Sequence, residues 1–218
     1  MNKPVEILQQ YLNKLESTED THIHKAKELL EAYERKFYPL DLLFLAALNR
    51  SRSYTGAFLD LMKKENYLAA APMIRQQVDS ILRLSASRLV NNPHEFAQRV
   101  LAGEPIRKMK DVHGNKMTDA YLLSTFKHEN PWIEGVYSAG SGFIHLSEKH
   151  IFGILTDIND DGVLNICISE KQSFVPEANR VEAVEAFYQS VVSIFELCDG
   201  WIFTKSNPEF ISAHRSIT

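Results

Sequence analysis

The chain has 218 residues, of which 44% are hydrophobic and 24% charged, and its 28 acidic against 24 basic side chains leave a formal net charge of −4. This is the make-up of a globular domain able to bury its own apolar core, and it excludes a disulfide scaffold, a collagen-like chain and bulk disorder. The two cysteines, Cys167 and Cys198, are too few for a zinc site of their own and read as reduced thiols, while the mild acidity argues against dependence on non-specific nucleic-acid attraction.

From Pro4 to Leu15 apolar residues recur on one helical face, with proline in the first turn. Ser17 to Asp20 supplies capping residues for a second helix, whose spacing runs through Ile23, Ala26, Leu29, Leu30, Tyr33 and Phe37 until Pro39 stops it. A third helix is predicted from Asp41 to about Glu65, apolar almost all round through Leu48, as expected at the centre of a bundle. Asn66 reads as a left-handed stop. After Pro72 a fourth helix runs through Ile74, Val78, Ile81, Leu82, Leu89 and Val90 to the break at Asn91-Asn92-Pro93. Short helices fit His94 to Ala102 and Asp119 to Glu129, and the loop between them holds Arg107, Lys108, Lys110, His113 and Lys116.

After His150 the pattern changes to two β-rich runs, Ile151 to Leu155 and Val163 to Ile168, around Asn159-Asp160-Asp161-Gly162, so residues 151–169 read as an inserted β-hairpin. From Pro176 the helical period returns through Val181, Phe187, Val191, Cys198 and Trp201 to Asn207-Pro208, and residues 207–218 read as a flexible tail. The expected fold is mainly α: one helical bundle over 1–218, with about six or seven helices and the hairpin before the last long one. The most apolar stretch, Leu40 to Leu48, contains Asp41 and falls far short of the roughly 20 residues of a membrane span. With no apolar leader pattern after Met1, the expected location is the cytoplasm, with no membrane partner.

Arg75, Asp79 and Arg83 stand four apart, one turn above another. Two guanidinium groups held by a carboxylate can present fixed donors to a phosphate or carboxylate; the structural alternative is a salt-bridge ladder within or between helices. A second constellation is Tyr137, Ser141 and His145, which align if the segment stays helical past Gly140 and Gly142, followed by Ser147 and His150. An imidazole with hydroxyls in reach can move protons, and the alternative is a histidine hydrogen-bonded at the edge of the core.

The ribonuclease-like string of arginine, four to six residues and histidine occurs twice, at Arg88 to His94 and Arg107 to His113, where about one match is expected by chance, so it is a weak signal. Asp157 to Gly162 matches half of a calcium loop, but Ile168 stands where the bidentate glutamate belongs, so a hairpin turn is the better reading. The basic loop Arg107 to Lys116 lacks interleaved aromatics and reads as solvated. His22 and His24 lie on different sides of a helix, and no metal ligands or cofactor motif are predicted.

Ala47-Leu48-Asn49-Arg50-Ser51, Asn66 to Asp79 with Ala70-Ala71-Pro72 and Arg75, and Ser141-Gly-Phe-Ile-His145-Leu-Ser147 with His150 resemble a widespread uncharacterised family of bacterial helical proteins. That family is distantly similar to the HEPN (higher eukaryotes and prokaryotes nucleotide-binding) superfamily, which includes metal-independent ribonucleases, toxins and phage-defence effectors. The resemblance covers about Leu40 to Phe152, and Leu89 follows Arg88 where the nuclease string usually has a polar residue.

Two functions follow. In the first, RNA or a phosphorylated ligand meets a polar site with His145, Arg75 and Arg83 as catalytic groups and Asp79, Tyr137, Ser141, Ser147 and Arg50 binding substrate, as in a metal-independent endoribonuclease. In the second, the chain is a non-catalytic helical module that forms a homodimer or binds a partner protein, the same polar residues acting as structural brackets.

Overall fold

The apolar spacing of the first half of the chain is realised as α1 (Pro4–Glu16), α2 (Thr18–Glu31), α3 (Pro39–Lys63) and α4 (Tyr67–Ala86). Shorter helices follow: α5 (Pro93–Leu101), α6 (Asp119–Phe126), α7 (Trp132–Ile144) and α8 (Glu148–Phe152). A strand pair, β1 (Leu155–Ile158) and β2 (Leu164–Ile166), precedes α9 (Glu177–Ser206). The computed structural model describes residues 4–158 and 164–207, which makes the protein a mainly α bundle with an antiparallel strand pair before its last helix. Residues 159–162, on which the ion-loop reading of Asp157 to Gly162 rests, and the tail from Pro208 lie outside the described residues.

Nine α-helices among the described residues exceed the six or seven expected, because the glycine-bearing segment stays helical and forms α7, and α8 follows it. Ile151 and Phe152 accordingly belong to α8 rather than to a strand, and β1 starts at Leu155. The second helix stops at Glu31, short of Phe37. Tyr33, Glu34 and Arg35 all take left-handed backbone with φ of 51°, 57° and 61°, and Tyr38 is extended, as a residue before proline must be. The chain thereby turns back within a few residues so that Pro39 can open α3.

At the next junction the left-handed residue is Glu65 (φ 59°), not Asn66. Asn66 instead caps α4, its side-chain oxygen accepting from the Ala69 N–H at 3.2 Å. The fourth helix therefore begins before Pro72 rather than after it. The proline lies early in the helix, and the first turn is held from outside, with Gln172 Oε1 accepting from the Leu68 N–H at 3.0 Å.

Helix α4 is the axis of the molecule, packing on α3, α6, α7 and α9, while α9 crosses α1, α2, α3 and α4. Leu82 and Val78 of α4 and Val184 and Val191 of α9 belong to one core without solvent access, and Phe58 stacks on Phe187 at 4.1 Å between ring centroids. Each such side chain contributes about 1.5–3 kcal/mol on leaving water.

Two polar devices sit inside this core. Asp41 and Lys205, both with fully buried side chains, pair at 2.9 Å. Asp41 also accepts from the Trp201 indole at 2.7 Å and the Tyr38 N–H at 2.9 Å, while Lys205 donates to the Leu29 carbonyl at 2.9 Å. This ties the ends of α2 and α9 to the start of α3. The second device is a chain of hydrogen bonds from α4 through α3 to α2. The Gln77 amide donates to Ser51 Oγ at 3.0 Å, and Ser51 Oγ lies 3.0 Å from His22 Nε2. His22 Nδ1 lies 2.7 Å from the Thr18 carbonyl, which can only accept, so Nδ1 carries the proton and Nε2 accepts from Ser51.

Burial pushes the His22 imidazole down to about 4; the Thr18 carbonyl opposes this and the charge of Arg52 adds to it. The folded state thus keeps His22 neutral where the unfolded chain, near pH 6.5, begins to protonate. Stability is full above about pH 6.5 and falls by about 3 kcal/mol as pH drops towards 4, below which this residue adds no further loss. Urea unfolding of wild type and His22→Gln across pH 4–8 should show that limb in the first and its loss in the second. In the same assay at pH 7, Lys205→Met should cost about 3–5 kcal/mol, because it strands the Asp41 charge in dry interior.

Candidate functional site

The α4 stripe of Arg75, Asp79 and Arg83 faces α3, α6 and α7, and its charges are gathered by a carboxylate that the sequence reading used only as a helix start. Asp119 opens α6, behind the Thr118 cap, where the helix dipole favours an anion. Its Oδ2 accepts from Arg75 at 3.2 Å and from the Tyr137 hydroxyl at 3.2 Å, and its Oδ1 takes Arg83. Arg83 also pairs with Asp79 at 3.0 Å, and Arg50 reaches from α3 to Asp79 at 3.5 Å and to Ser80 Oγ at 3.1 Å. The Arg75 guanidinium lies 3.6 Å from the centroid of the Tyr137 ring, a close cation–π contact. Burial opposes ionisation of Asp119, but the hydrogen bond and charge of Arg83, with Tyr137 and Arg75, outweigh it and hold the carboxyl below its usual range.

Arg50, Arg75, Asp79, Arg83 and Tyr137 are therefore brought together, as a network closed on Asp119 in which Arg75 is only 8% exposed. The remaining predicted site residues go elsewhere. Ser141 Oγ donates to the Tyr137 carbonyl within α7 at 2.8 Å. His145 is the exposed, extended residue ending α7, without a hydrogen bond to the network among the described residues. Ser147 caps α8, accepting from the Lys149 N–H at 3.3 Å and donating to the Gly142 carbonyl at 2.6 Å, while its own N–H donates to His150 Nδ1 at 3.2 Å.

Neither arginine-to-histidine string converges. Arg88 is paired with Glu129 through two hydrogen bonds of 2.7 and 3.1 Å, while His94 stacks on Tyr38 and meets the edge of Trp201. In the basic loop Arg107, Lys108, Lys110 and Lys116 are exposed around Asp111, which accepts from the His113 and Asn115 N–H groups and from Tyr121. Burial works against that carboxylate's charge, yet Tyr121 and the loop N–H donors hold its pKa down to about 2. The loop is wound on its own acid. Among the described residues no group of three His, Cys, Asp or Glu side chains is arranged to hold a metal, and no helix is long and apolar enough to cross a membrane. Cys198 is buried, and burial pushes its thiol up to about 12.

A cleft on the other side of the α4–α7 crossing was not legible at all. Gly140 makes that crossing: a Cβ there would stand 2.8 Å from the Cβ of Arg75. Beyond it, residues of α4, α7 and α9, such as Ala71, Ile74, Gly135, Phe143 and Ala183, line a cavity of about 610 Å³, which the segments at Gly153 and Leu155 and at Gln172 to Pro176 wall as well. Polar groups enter its wall at Tyr67, Lys149, Asn179 and Glu182. The most exposed apolar side chains are Leu146 (90%), just before α8, and Ile168 (93%), just after β2.

Comparison of the chain with protein-family models, with curated proteins and with solved structures gives no match. Site roles rest on geometry alone. The half-buried network and the exposed Arg88–Glu129 pair should separate in a stability assay. Asp119→Ala should cost about 3 kcal/mol in urea unfolding, because it leaves Arg75 and Arg83 without their shared partner, whereas Arg88→Ala should cost under about 1 kcal/mol.

Proposed function

We propose that the protein is a non-catalytic helical binding module that takes a small apolar molecule into the cleft between α4, α7 and α9, the arginine network being the bracket that holds those helices in place. The observation that carries this is the cavity of about 610 Å³, within the range of about 300–1,000 Å³ typical of small-molecule sites and walled mainly by apolar groups with a few polar ones. Supporting it, the guanidinium groups already have carboxylate partners, and His145 makes no hydrogen bond to them, which favours a structural role for the network.

Gly135 gives the means of testing the cleft. A Cβ at this position of α7 meets nothing within 4 Å, so a larger side chain can enter the cavity without a backbone clash, and replacing a mid-helix glycine favours the helix. The neutral dye N-phenyl-1-naphthylamine should bind the wild type with a fluorescence rise, and Gly135→Phe should weaken that binding at least tenfold while the melting temperature holds or rises. Equal binding by both proteins, or none by either, overturns the reading.

The second reading, recognition of RNA or a phosphorylated ligand as the HEPN resemblance implies, is favoured by one feature: three arginines face two aspartates, and Arg83 Nη1 is buried without an acceptor. It is supported if a short single-stranded RNA or inorganic phosphate binds and Arg50→Ala weakens that binding at least tenfold.

A further inference from the structure

Resting on the cleft reading above, we propose that its ligand is an amphiphilic monoanion, an apolar body carrying one carboxylate-like group, and that Lys149 is the residue that selects it. Lys149 belongs to α8, yet its side chain lies back across α7 at Gly142. A Cβ at Gly142 would stand 2.9 Å from Lys149 Cε and 3.0 Å from Cδ, so in this conformation the stem lies directly over the glycine. The ammonium ends on the Ala139 carbonyl at 2.7 Å and 4.7 Å from the centroid of the Phe143 ring, with Ala139, Phe143 and Lys149 all in the cavity wall.

The position is held from three directions, by the Gly142 groove, by the Ala139 carbonyl and by the Ser147 cap that fixes the start of α8. What it lacks is an anion: Lys149 forms no ion pair among the described residues. One Nζ–H is used on a carbonyl and up to two more remain, on a charge fixed beside apolar surface. A bound carboxylate there would complete a charge-assisted hydrogen bond.

Tyr67 adds to this. Its ring meets Phe143 edge to face at 5.8 Å, so the phenol and the ammonium flank the same aromatic side chain, and the hydroxyl has no hydrogen bond among the described residues. The opposing charge is Glu182, on the α9 wall and exposed, without an ion pair among the described residues. It disfavours anions that reach across the cleft and would favour cations, so the sign of the preferred ligand is decided by which charge is held in place. Lys149 is braced against a carbonyl, a glycine groove and a ring; Glu182 stands in water. Ordering the ligand against a braced group loses less conformational entropy.

Displacement of N-phenyl-1-naphthylamine by decanoate, decanol and decyltrimethylammonium separates the claims. Decanoate should displace at concentrations at least tenfold below the other two. Lys149→Met, which keeps the stem over Gly142, should abolish that advantage and leave decanol within threefold of wild type. Lys149→Arg should restore it, and Glu182→Gln should tighten decanoate. If all three compounds displace equally, or if Lys149→Met weakens decanol as much as decanoate, the monoanion proposal is overturned and the cleft reading stands. If none displaces a dye that does bind, or the dye itself fails to bind, both fall.

Discussion

One carboxylate decides how the centre of this molecule is arranged. Helix α4 runs through the middle of the bundle carrying Arg75 and Arg83 on a face that cannot be left in apolar surroundings. Asp119 accepts from both, and from Tyr137 as well, and by doing so fixes the start of α6 and the flank of α7 against α4. The geometry is exact enough that α7 crosses α4 at a glycine, with Gly140 against the Cβ of Arg75. Beside that close contact, small side chains on both walls leave space unfilled. The charged bracket and the open cleft are consequences of the same crossing.

The other end of the bundle uses a different solution to the same problem. Asp41 and Lys205 neutralise each other in dry interior, and their leftover hydrogen-bonding capacity is taken up by the Trp201 indole, the Tyr38 N–H and the Leu29 carbonyl. A buried pair of this kind adds little net stability relative to well-packed apolar groups, but each half is costly to lose alone. Its effect is to fix register: α9 can close the bundle only where the ammonium meets the carboxylate. The His22–Ser51–Gln77 chain does the same laterally across α2, α3 and α4, with a neutral imidazole instead of a charge.

Periodicity made the helices legible, because burying one face of an amphipathic segment is a local decision written in every third or fourth residue. It also placed Arg75, Asp79 and Arg83 on one stripe, which the structure retains. What periodicity could not carry was anything requiring two distant segments. Asp119 looked like an ordinary first-turn acid, and its role depends on α6 lying beside α4. Pro72 looked like a start signal, because the Gln172 side chain that supports the preceding turn comes from a loop about a hundred residues away. The α2–α3 turn was misread since Tyr33, Glu34 and Arg35 are not residues that advertise left-handed backbone. The cleft left no trace at all: its wall is gathered from distant segments, and the alanines and glycines among its lining matter for the volume they fail to fill.

That difference bears on which polar residues are free to act on a ligand. A phosphate approaching Arg75 or Arg83 must compete with Asp119, a carboxylate tethered in the same fold and therefore present at high effective concentration, and would leave that carboxylate unpaired if it won. Arg50 is less committed, with its contacts to Asp79 and Ser80 at 3.5 and 3.1 Å. Lys149 is in the opposite position: its stem lies over Gly142 and its ammonium on a carbonyl, so its place is defined, yet among the described residues no carboxylate pairs with its charge. Pre-organisation without neutralisation is what distinguishes a ligand-binding cation from a structural one, and within this bundle the lysine in the cleft wall meets that criterion where the arginines of α4 do not.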